Sequence, residues 1–193
     1  MTTKRKNLWK CRCGKSDDMG FFKDDLKAVK AFVFDVDGVL SVAAENIAPN
    51  GELERTANVK DGYALMYSGK KGYLRAIISG GSGPGVVERY KRLGMEEVHM
   101  KIANKLEKLE ELMSRYGLKE EEILYMGDDV PDYECMCRVG VPVCPADACQ
   151  EIKAVARYIS PFKGGEGCVR DVIEQTLKAQ EVWMDTKCYV RSM

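Results

Sequence analysis

Asp35-Val36-Asp37-Gly38 places two carboxylates two residues apart at the end of an apolar run, Ala31 to Val36. In extended backbone, residues two apart point the same way, so these two acids share one field and repel. Such a pair is costly unless a cation or a shared proton neutralises it, which suits a Mg²⁺ site, an acid/base pair, or both. The same string also occurs in calcium loops and in turns. A second pair, Asp128-Asp129, follows another apolar run, Ile123 to Met126, with Asp132 close behind. Acids from two strand ends could complete one oxygen shell, while one of them could instead cap a helix opening near Pro131. Between the pairs lies Ser79-Gly80-Gly81-Ser82-Gly83. Backbone N–H groups of a glycine-rich turn entering a helix suit a phosphate, although glycine serves any tight turn. Lys105 heads an amphipathic stretch and, taken alone, is an ordinary helix lysine.

The elements that must position these residues follow from hydrophobic periodicity. Ala31 to Val36, Tyr73 to Ile78, Glu97 to Met100, Ile123 to Met126, Val139 to Val143 and Arg157 to Ile159 read as short strands. Helical patterns fall near 61 to 70, 84 to 93, 103 to 116, 131 to 138, 146 to 155 and 168 to 180. Alternating strand and helix predicts an α/β fold, a Rossmann-like, mainly parallel sheet with helices on both faces. Ligands then sit beyond the carboxyl ends of the strands, where the acids, the serine loop and the lysine all fall. One segment breaks the rhythm: Pro49-Asn50-Gly51 separates two extended stretches, Ser41 to Ile47 and Glu52 to Val59, and predicts a β-hairpin projecting over the site after the first strand.

The chain has 193 residues with 30 basic and 30 acidic side chains, so no whole-chain field argues for nucleic acid or an anionic membrane. No apolar run reaches the roughly 18 residues of a membrane span, and residues 1 to 18 lack the apolar core of a signal peptide, so a cytoplasmic protein is expected. Residues 1 to 18 read as a disordered basic tail, 19 to 181 as a single domain and 182 to 193 as a C-terminal tail; Met19 could equally be the natural start. The eight cysteines include Cys11/Cys13 and Cys135/Cys137, both CxC rather than CxxC, and there is one histidine, His99. That supply is poor for zinc, and Cys135, Cys144, Cys149 and Cys168 are expected to be small, partly buried hydrophobes.

The order of the motifs is more specific than any one of them. Asp-x-Asp-Gly-Val, Ser-Gly after the next strand, a helix-start lysine, and Gly-Asp-Asp with a further Asp closely resemble the haloacid dehalogenase superfamily of phosphohydrolases over about residues 29 to 180. A closer resemblance is to the family of 3-deoxy-D-manno-octulosonate 8-phosphate (KDO 8-phosphate) phosphatases. It is carried by Phe34 to Ser41, by Lys60-Asp61-Gly62-Tyr63, by Gly127 to Asp132, and by Gly164-Gly165-Glu166-Gly167-Cys168-Val169-Arg170-Asp171. About 40 residues separate Asp37 from Ser79 and about 25 separate Ser79 from Lys105, so neither gap holds a cap domain.

The resemblance implies a capless, Mg²⁺-dependent enzyme, tetrameric so that neighbouring subunits close the site. Asp35 would be the nucleophile and Asp37 the general acid and base. The Asp35 carboxylate, the Asp37 carbonyl and Asp128 would hold the metal, and Ser79, Gly80 and Lys105 the phosphate. Asp129 and Asp132 would support them, Asp129 by orienting Lys105 or a metal-bound water. Lys60, Arg89 and Arg170 are candidate substrate contacts, Arg89 for a carboxylate. The implied reaction is hydrolysis of KDO 8-phosphate through an aspartyl-phosphate, in lipopolysaccharide inner-core biosynthesis. Another sugar phosphate, such as a nonulosonate 9-phosphate, or a non-catalytic assembly module of the same fold are the alternatives. One departure bears on the sugar: many bacterial members have arginine where this chain has Gly81, and relatives acting on nine-carbon acids tend to have glutamate there.

Overall fold

A computed structural model describes residues 22–44, 46–49, 51 and 53–184. Residues 1 to 18 and Tyr189 lie outside the described residues, as do Cys11, Cys13 and Cys188.

The described residues open with a short helix, α1 (Phe22–Asp25), that no periodicity announces. Phe22 stacks on Tyr158 with ring centroids 4.6 Å apart, and Asp25 pairs with Arg157, so this segment is stapled to the far sheet edge. The first strand, β1 (Ala31–Phe34), is buried throughout, as a continuous apolar run predicts. The predicted hairpin follows as β2 (Asn46–Ile47) and β3 (Leu53–Glu54), antiparallel and far shorter than the two extended stretches expected. Its apolar residues are open to solvent among the described residues, Ile47 at 76% and Leu53 at 47% exposed.

The rest alternates: α2 (Val59–Lys70), β4 (Leu74–Ile78), α3 (Pro84–Lys91), β5 (Glu97–His99), α4 (Lys105–Tyr116), β6 (Ile123–Met126), α5 (Tyr133–Arg138), β7 (Val141–Cys144), α6 (Gln150–Val155), β8 (Tyr158–Ile159) and α7 (Cys168–Ala179). The main sheet has six strands in the order β5-β4-β1-β6-β7-β8, every neighbouring pair parallel. The chain moves outward from β1 to β4 and β5, then returns to β1's other side for β6, β7 and β8. The carboxyl end of β1 is therefore the switch point where open α/β sheets bind ligands. Only the hairpin intervenes between β1 and α2, and only α3 and β5 between β4 and α4, so among the described residues no cap interrupts the sheet.

Side chains alternate across the sheet. Phe32 and Phe34 pack into one core with Leu65 of α2 and Val169 and Ile173 of α7. Ala31 and Val33 face the other, with Leu109 and Leu112 of α4, Met136 of α5 and Ile152 of α6. Asp35 continues the Ala31–Val33 parity toward the α4 side, and its N–H extends the ladder to Met126 O at 3.1 Å. Helix starts are fixed by side chains: Asn58 accepts from Lys60 N at 2.8 Å, and Asn104 accepts from Glu107 N at 3.1 Å. Of the four cysteines, Cys135, Cys144 and Cys168 are buried and Cys149 is half-buried, and burial pushes the Cys135 and Cys144 thiols up to about 12. After α7, Trp183 packs on Tyr67 at 4.9 Å between centroids, and Tyr67 OH donates to Val182 O at 3.2 Å.

Candidate active site

Asp35, at the end of β1, is 8% exposed, and its Oδ2 lies 3.0 Å from Lys105 Nζ. Lys105 comes from the first turn of α4 and is itself buried, with Nζ donating at 2.8 Å to Asp132 Oδ1. Asp132 is fully enclosed; Tyr125 OH donates to its Oδ1 at 2.6 Å, and Asp128 N donates to its Oδ2 at 3.3 Å. The buried lysine is thus held between two carboxylates, and one of them is in turn held by a strand tyrosine and by the backbone of Asp128. Burial works to lower the Lys105 pKa, but the attraction of Asp132 and Asp35 outweighs it and leaves it raised.

Ligand atoms of Asp35, Asp128 and Asp132 lie within 4.8 Å of one another, an all-oxygen set that suits a hard divalent cation. Asp132 is committed to Lys105, Tyr125 and Asp128 N, which leaves Asp35 and Asp128 as the carboxylates able to ligate. Asp128 is brought in by Gly38: a Cβ there would lie 1.9 Å from Asp128 Oδ2, and φ is +82°. Only glycine allows both the turn and the approach.

Asp37 lies in the turn that follows β1, where the hairpin meets it. Arg55, two residues past Leu53 of the hairpin, places Nε 2.5 Å from Asp37 Oδ1 and Nη2 3.0 Å from Asp37 Oδ2, and its Nη1 donates to Ser82 O at 2.7 Å. Ser79 is buried at the end of β4, where its Oγ accepts from Gly81 N at 3.0 Å; Ile102 N donates to Ser79 O at 3.0 Å, which pins the loop. A cavity of about 930 Å³ opens between hairpin and α3, lined by Leu53, Arg55, Thr56, Pro84, Arg89 and Lys101 among others. Glu54 lines it too, and Arg55 is paired with Asp37, which leaves Arg89 and Lys101 as the cationic side chains of the lining that could meet an anionic ligand.

By themselves, these clustered carboxylates are electrostatically expensive. Burial, then the charge of Asp132, pushes Asp35 up to about 7 against the pull of Lys105. Burial and the charges of Asp35, Asp132 and Asp129 likewise push Asp128 up to about 7. A carboxyl raised on folding contributes stability that is fully present below its ordinary value of 3.8 and lost as pH rises through about 7. In EDTA, the thermal midpoint is expected to fall between about pH 5 and pH 8, and millimolar Mg²⁺ to restore most of the difference at the upper end. Thermal unfolding across that range tests this; a midpoint that rises with pH in EDTA contradicts it.

The late glycine motif acts on the same loop from behind. Gly165 N donates to Val39 O at 2.8 Å, and a Cβ on Gly164 would lie 1.9 Å from Gly38 O. Arg170 N donates at 2.7 Å to Asp61 Oδ1, and Asn58 Nδ2 to Gly165 O at 3.1 Å, which ties the Lys60-Asp61-Gly62 segment to the motif. Asp61 is buried, and that burial pushes it up to about 6. Gly164→Ala forces Gly38 to move, so about 1–3 kcal/mol of stability should be lost by chemical denaturation, with turnover falling at the same time. An unchanged denaturation midpoint would show that the Gly164 contact is dispensable.

Asp35, Lys105, Asp128 and Asp132 therefore meet in one cluster, with Asp37, Ser79, Gly80 and Arg89 around the adjoining loop and cavity. Lys60 is exposed at the start of α2. The Arg170 guanidinium pairs with Glu174 at 3.1 Å and lies over the Tyr63 and Trp183 rings at 6.0 and 5.5 Å. The lysine-orienting task that the sequence offers to Asp129 is held by Asp132; Asp129 precedes the 3₁₀ turn Val130–Asp132, its carbonyl accepting from Asp132 N at 2.9 Å. Arg55 and Tyr125 were not singled out by sequence. Tyr125 reads as one more apolar strand residue, and Arg55 as a surface charge on a hairpin.

A family model described as haloacid dehalogenase-like hydrolase matches residues 89–172. The 3-deoxy-D-manno-octulosonate 8-phosphate phosphatase KdsC of Escherichia coli (strain K12) is 34% identical over 152 residues, covering 79% of this chain and 81% of that protein. The Moraxella catarrhalis 3-deoxy-D-manno-octulosonate 8-phosphate phosphatase, solved with a magnesium ion, a phosphate ion and a KDO molecule, superposes with a TM-score of 0.81 at 33% identity, covering 85% of this chain and 94% of that one. The cobalt-bound deoxy-D-mannose-octulosonate 8-phosphate phosphatase of Haemophilus influenzae gives 0.80 at 26% identity, covering 86% and 98%. Fold, strand-end acids and these likenesses define a hydrolase of the haloacid dehalogenase superfamily. Within it, the chain belongs to the capless KDO 8-phosphate phosphatase family.

Proposed function

We propose that the protein hydrolyses KDO 8-phosphate to KDO and phosphate through an aspartyl-phosphate on Asp35, as a step of lipopolysaccharide inner-core biosynthesis. The observation that carries this reading is the buried Asp35–Lys105–Asp132 chain beside Asp128, at the switch point of a capless sheet. Phosphate-monoester hydrolysis demands accelerations up to about 10²¹, more than any single group supplies. The work is therefore divided among several groups. Asp35 attacks phosphorus in line and the sugar oxygen leaves, which splits one hard displacement into two. Asp37 protonates that oxygen, then takes a proton from the water that cleaves the acyl phosphate. Lys105, Ser79 and the N–H groups of the Gly80 loop bind phosphoryl oxygens as charge spreads over them. Asp132 positions Lys105. Asp35, Asp128 and the Asp37 carbonyl would hold Mg²⁺, which supplies charge neutralisation between an anionic nucleophile and an anionic substrate. Arg89, lining the cavity, is assigned to the substrate carboxylate; Lys60 and Arg170 would act from the cavity's edge or on a neighbouring subunit.

A site open on one side needs walls, and the exposed Ile47 and Leu53 of the hairpin offer an apolar surface for a second copy. The active species is accordingly expected to be a homotetramer, and light scattering that finds a fully active monomer would remove this part of the proposal. The substrate is tested by phosphate release with Mg²⁺, comparing kcat/KM for KDO 8-phosphate, a nonulosonate 9-phosphate and simple sugar phosphates, with Asp35→Asn as blank. A clear preference for KDO 8-phosphate supports the reading. Preference for the nine-carbon ester or equal low rates on all would keep the phosphatase chemistry and withdraw this substrate, and activity equal to the blank favours a non-catalytic module.

A further inference from the structure

Gly81 and Arg55 compete for one space. A Cβ built on Gly81 would lie 2.8 Å from Arg55 Nη2, 2.9 Å from Asp37 Oδ2 and 3.3 Å from Ser79 Oγ. Any side chain at 81 would therefore enter the room between the Asp37 carboxylate and the serine, and the Arg55 guanidinium occupies that room from the other side. The arginine is well held there. Its side chain is 6% exposed, it grips both Asp37 oxygens, and its third nitrogen bonds Ser82 O at 2.7 Å. Its own backbone is braced against the same turn: Thr56 N donates to Ser41 Oγ at 3.1 Å, Val42 N donates to Thr56 Oγ1 at 3.1 Å, and Ser41 forms an isolated bridge with Asp37.

A two-pronged guanidinium fixes both the place and the plane of a carboxylate, which a lysine ammonium cannot do. The geometry points to Arg55 as the positioning residue for Asp37, an arginine that the hairpin delivers into the space left by Gly81, aiming the carboxylate at the leaving-group oxygen. This rests on the reading of Asp37 as the group that protonates the departing sugar. Arg55 neither donates nor accepts that proton: the O–P bond breaks, Asp37 gives its proton to the sugar oxygen, and Arg55 keeps the donor in line. The hairpin thereby becomes part of the catalytic apparatus, beyond covering the site.

A positioning role leaves a signature that a merely structural one does not. An alkoxide needs the proton as it leaves, whereas p-nitrophenolate leaves without it. Arg55→Ala is therefore expected to lower kcat/KM on KDO 8-phosphate by about 10- to 100-fold, within the range of general-acid effects, while kcat/KM on p-nitrophenyl phosphate, which stops at leaving-group departure and so excludes the water attack both esters share, changes by less than about threefold. Gly81→Arg alone should be impaired, since its Cβ meets the resident guanidinium. Arg55→Ala/Gly81→Arg should recover at least about tenfold over Arg55→Ala on the sugar phosphate, as one arginine replaces the other in the same space. Circular dichroism and light scattering on each variant confirm fold and assembly; if Arg55→Ala does not fold, Arg55→Lys should show the same split between esters, in smaller degree. Equal losses of kcat/KM on both esters, or a double variant no better than Arg55→Ala, would overturn the assignment. Wild-type protein no more active than Asp35→Asn on either ester would instead overturn the phosphatase reading, and this inference with it.

Discussion

Asp35→Asn is expected to lower phosphate release by on the order of 10⁴-fold or more while leaving the protein folded and at least as stable as wild type. The two halves of this expectation have different causes. An amide oxygen has no charge with which to attack phosphorus, so the covalent route is lost, and water would have to act alone. The amide keeps the shape of the carboxyl and an oxygen that can still accept from Lys105 Nζ, which lies 3.0 Å away. Removing the charge also relieves a cost, because burial and the Asp132 charge push Asp35 up to about 7. In EDTA at pH 8, the variant should therefore melt no lower than wild type, and the stabilisation by Mg²⁺ should shrink because one of its carboxylates is gone. Phosphate release within tenfold of wild type would rule out Asp35 as nucleophile, whereas a collapsed melting transition would show that the charge itself is structural.

What could be read in the sequence and what could not divides along a physical line. Local periodicity exposes elements whose side chains face a core: Ala31 to Phe34 is buried on both faces, so a parallel strand could be inferred from four residues. Acids at the ends of such strands are legible for the same reason, since a charge that abruptly ends an apolar run has few structural uses. The glycine motif at 164 to 167 was legible as a motif, but its task of packing against Gly38 depends on a contact over a hundred residues away in the chain, which no window contains. Arg55 was invisible for a related reason. Hairpins are usually solvated, so a basic residue there reads as solubility until the turn at Pro49 folds it back on Asp37. Asp129 and Asp132 could not be ranked because their separation is almost one helical turn; the 3₁₀ turn at Val130–Asp132 decides that Asp132 points inward. The short α1 has too few residues to show a period at all.

Lys105→Met tests whether the cluster is a folding element as well as a catalytic one. The lysine is 7% exposed and holds two buried carboxylates, Asp35 at 3.0 Å and Asp132 at 2.8 Å. Deleting one member of a buried ionic set strands the others, and such losses run to about 3–5 kcal/mol, larger than for most single substitutions. Methionine fills the volume, so a cavity adds little, and the destabilisation measures the stranded charges. It should be largest near pH 8 in EDTA and smaller near pH 5, because acidification neutralises Asp35. Adding Asp132→Asn to Lys105→Met should return a substantial part of the loss, since the double variant removes both the cation and one of the charges it held, while Tyr125 OH keeps an amide oxygen to bond. Turnover should stay low in the double variant, because the lysine assigned to the phosphoryl oxygens is gone. Stability losses that simply add, measured by denaturant unfolding of the singles and the double, would show that Lys105 and Asp132 are not coupled and that the helix-start lysine is held there by packing alone.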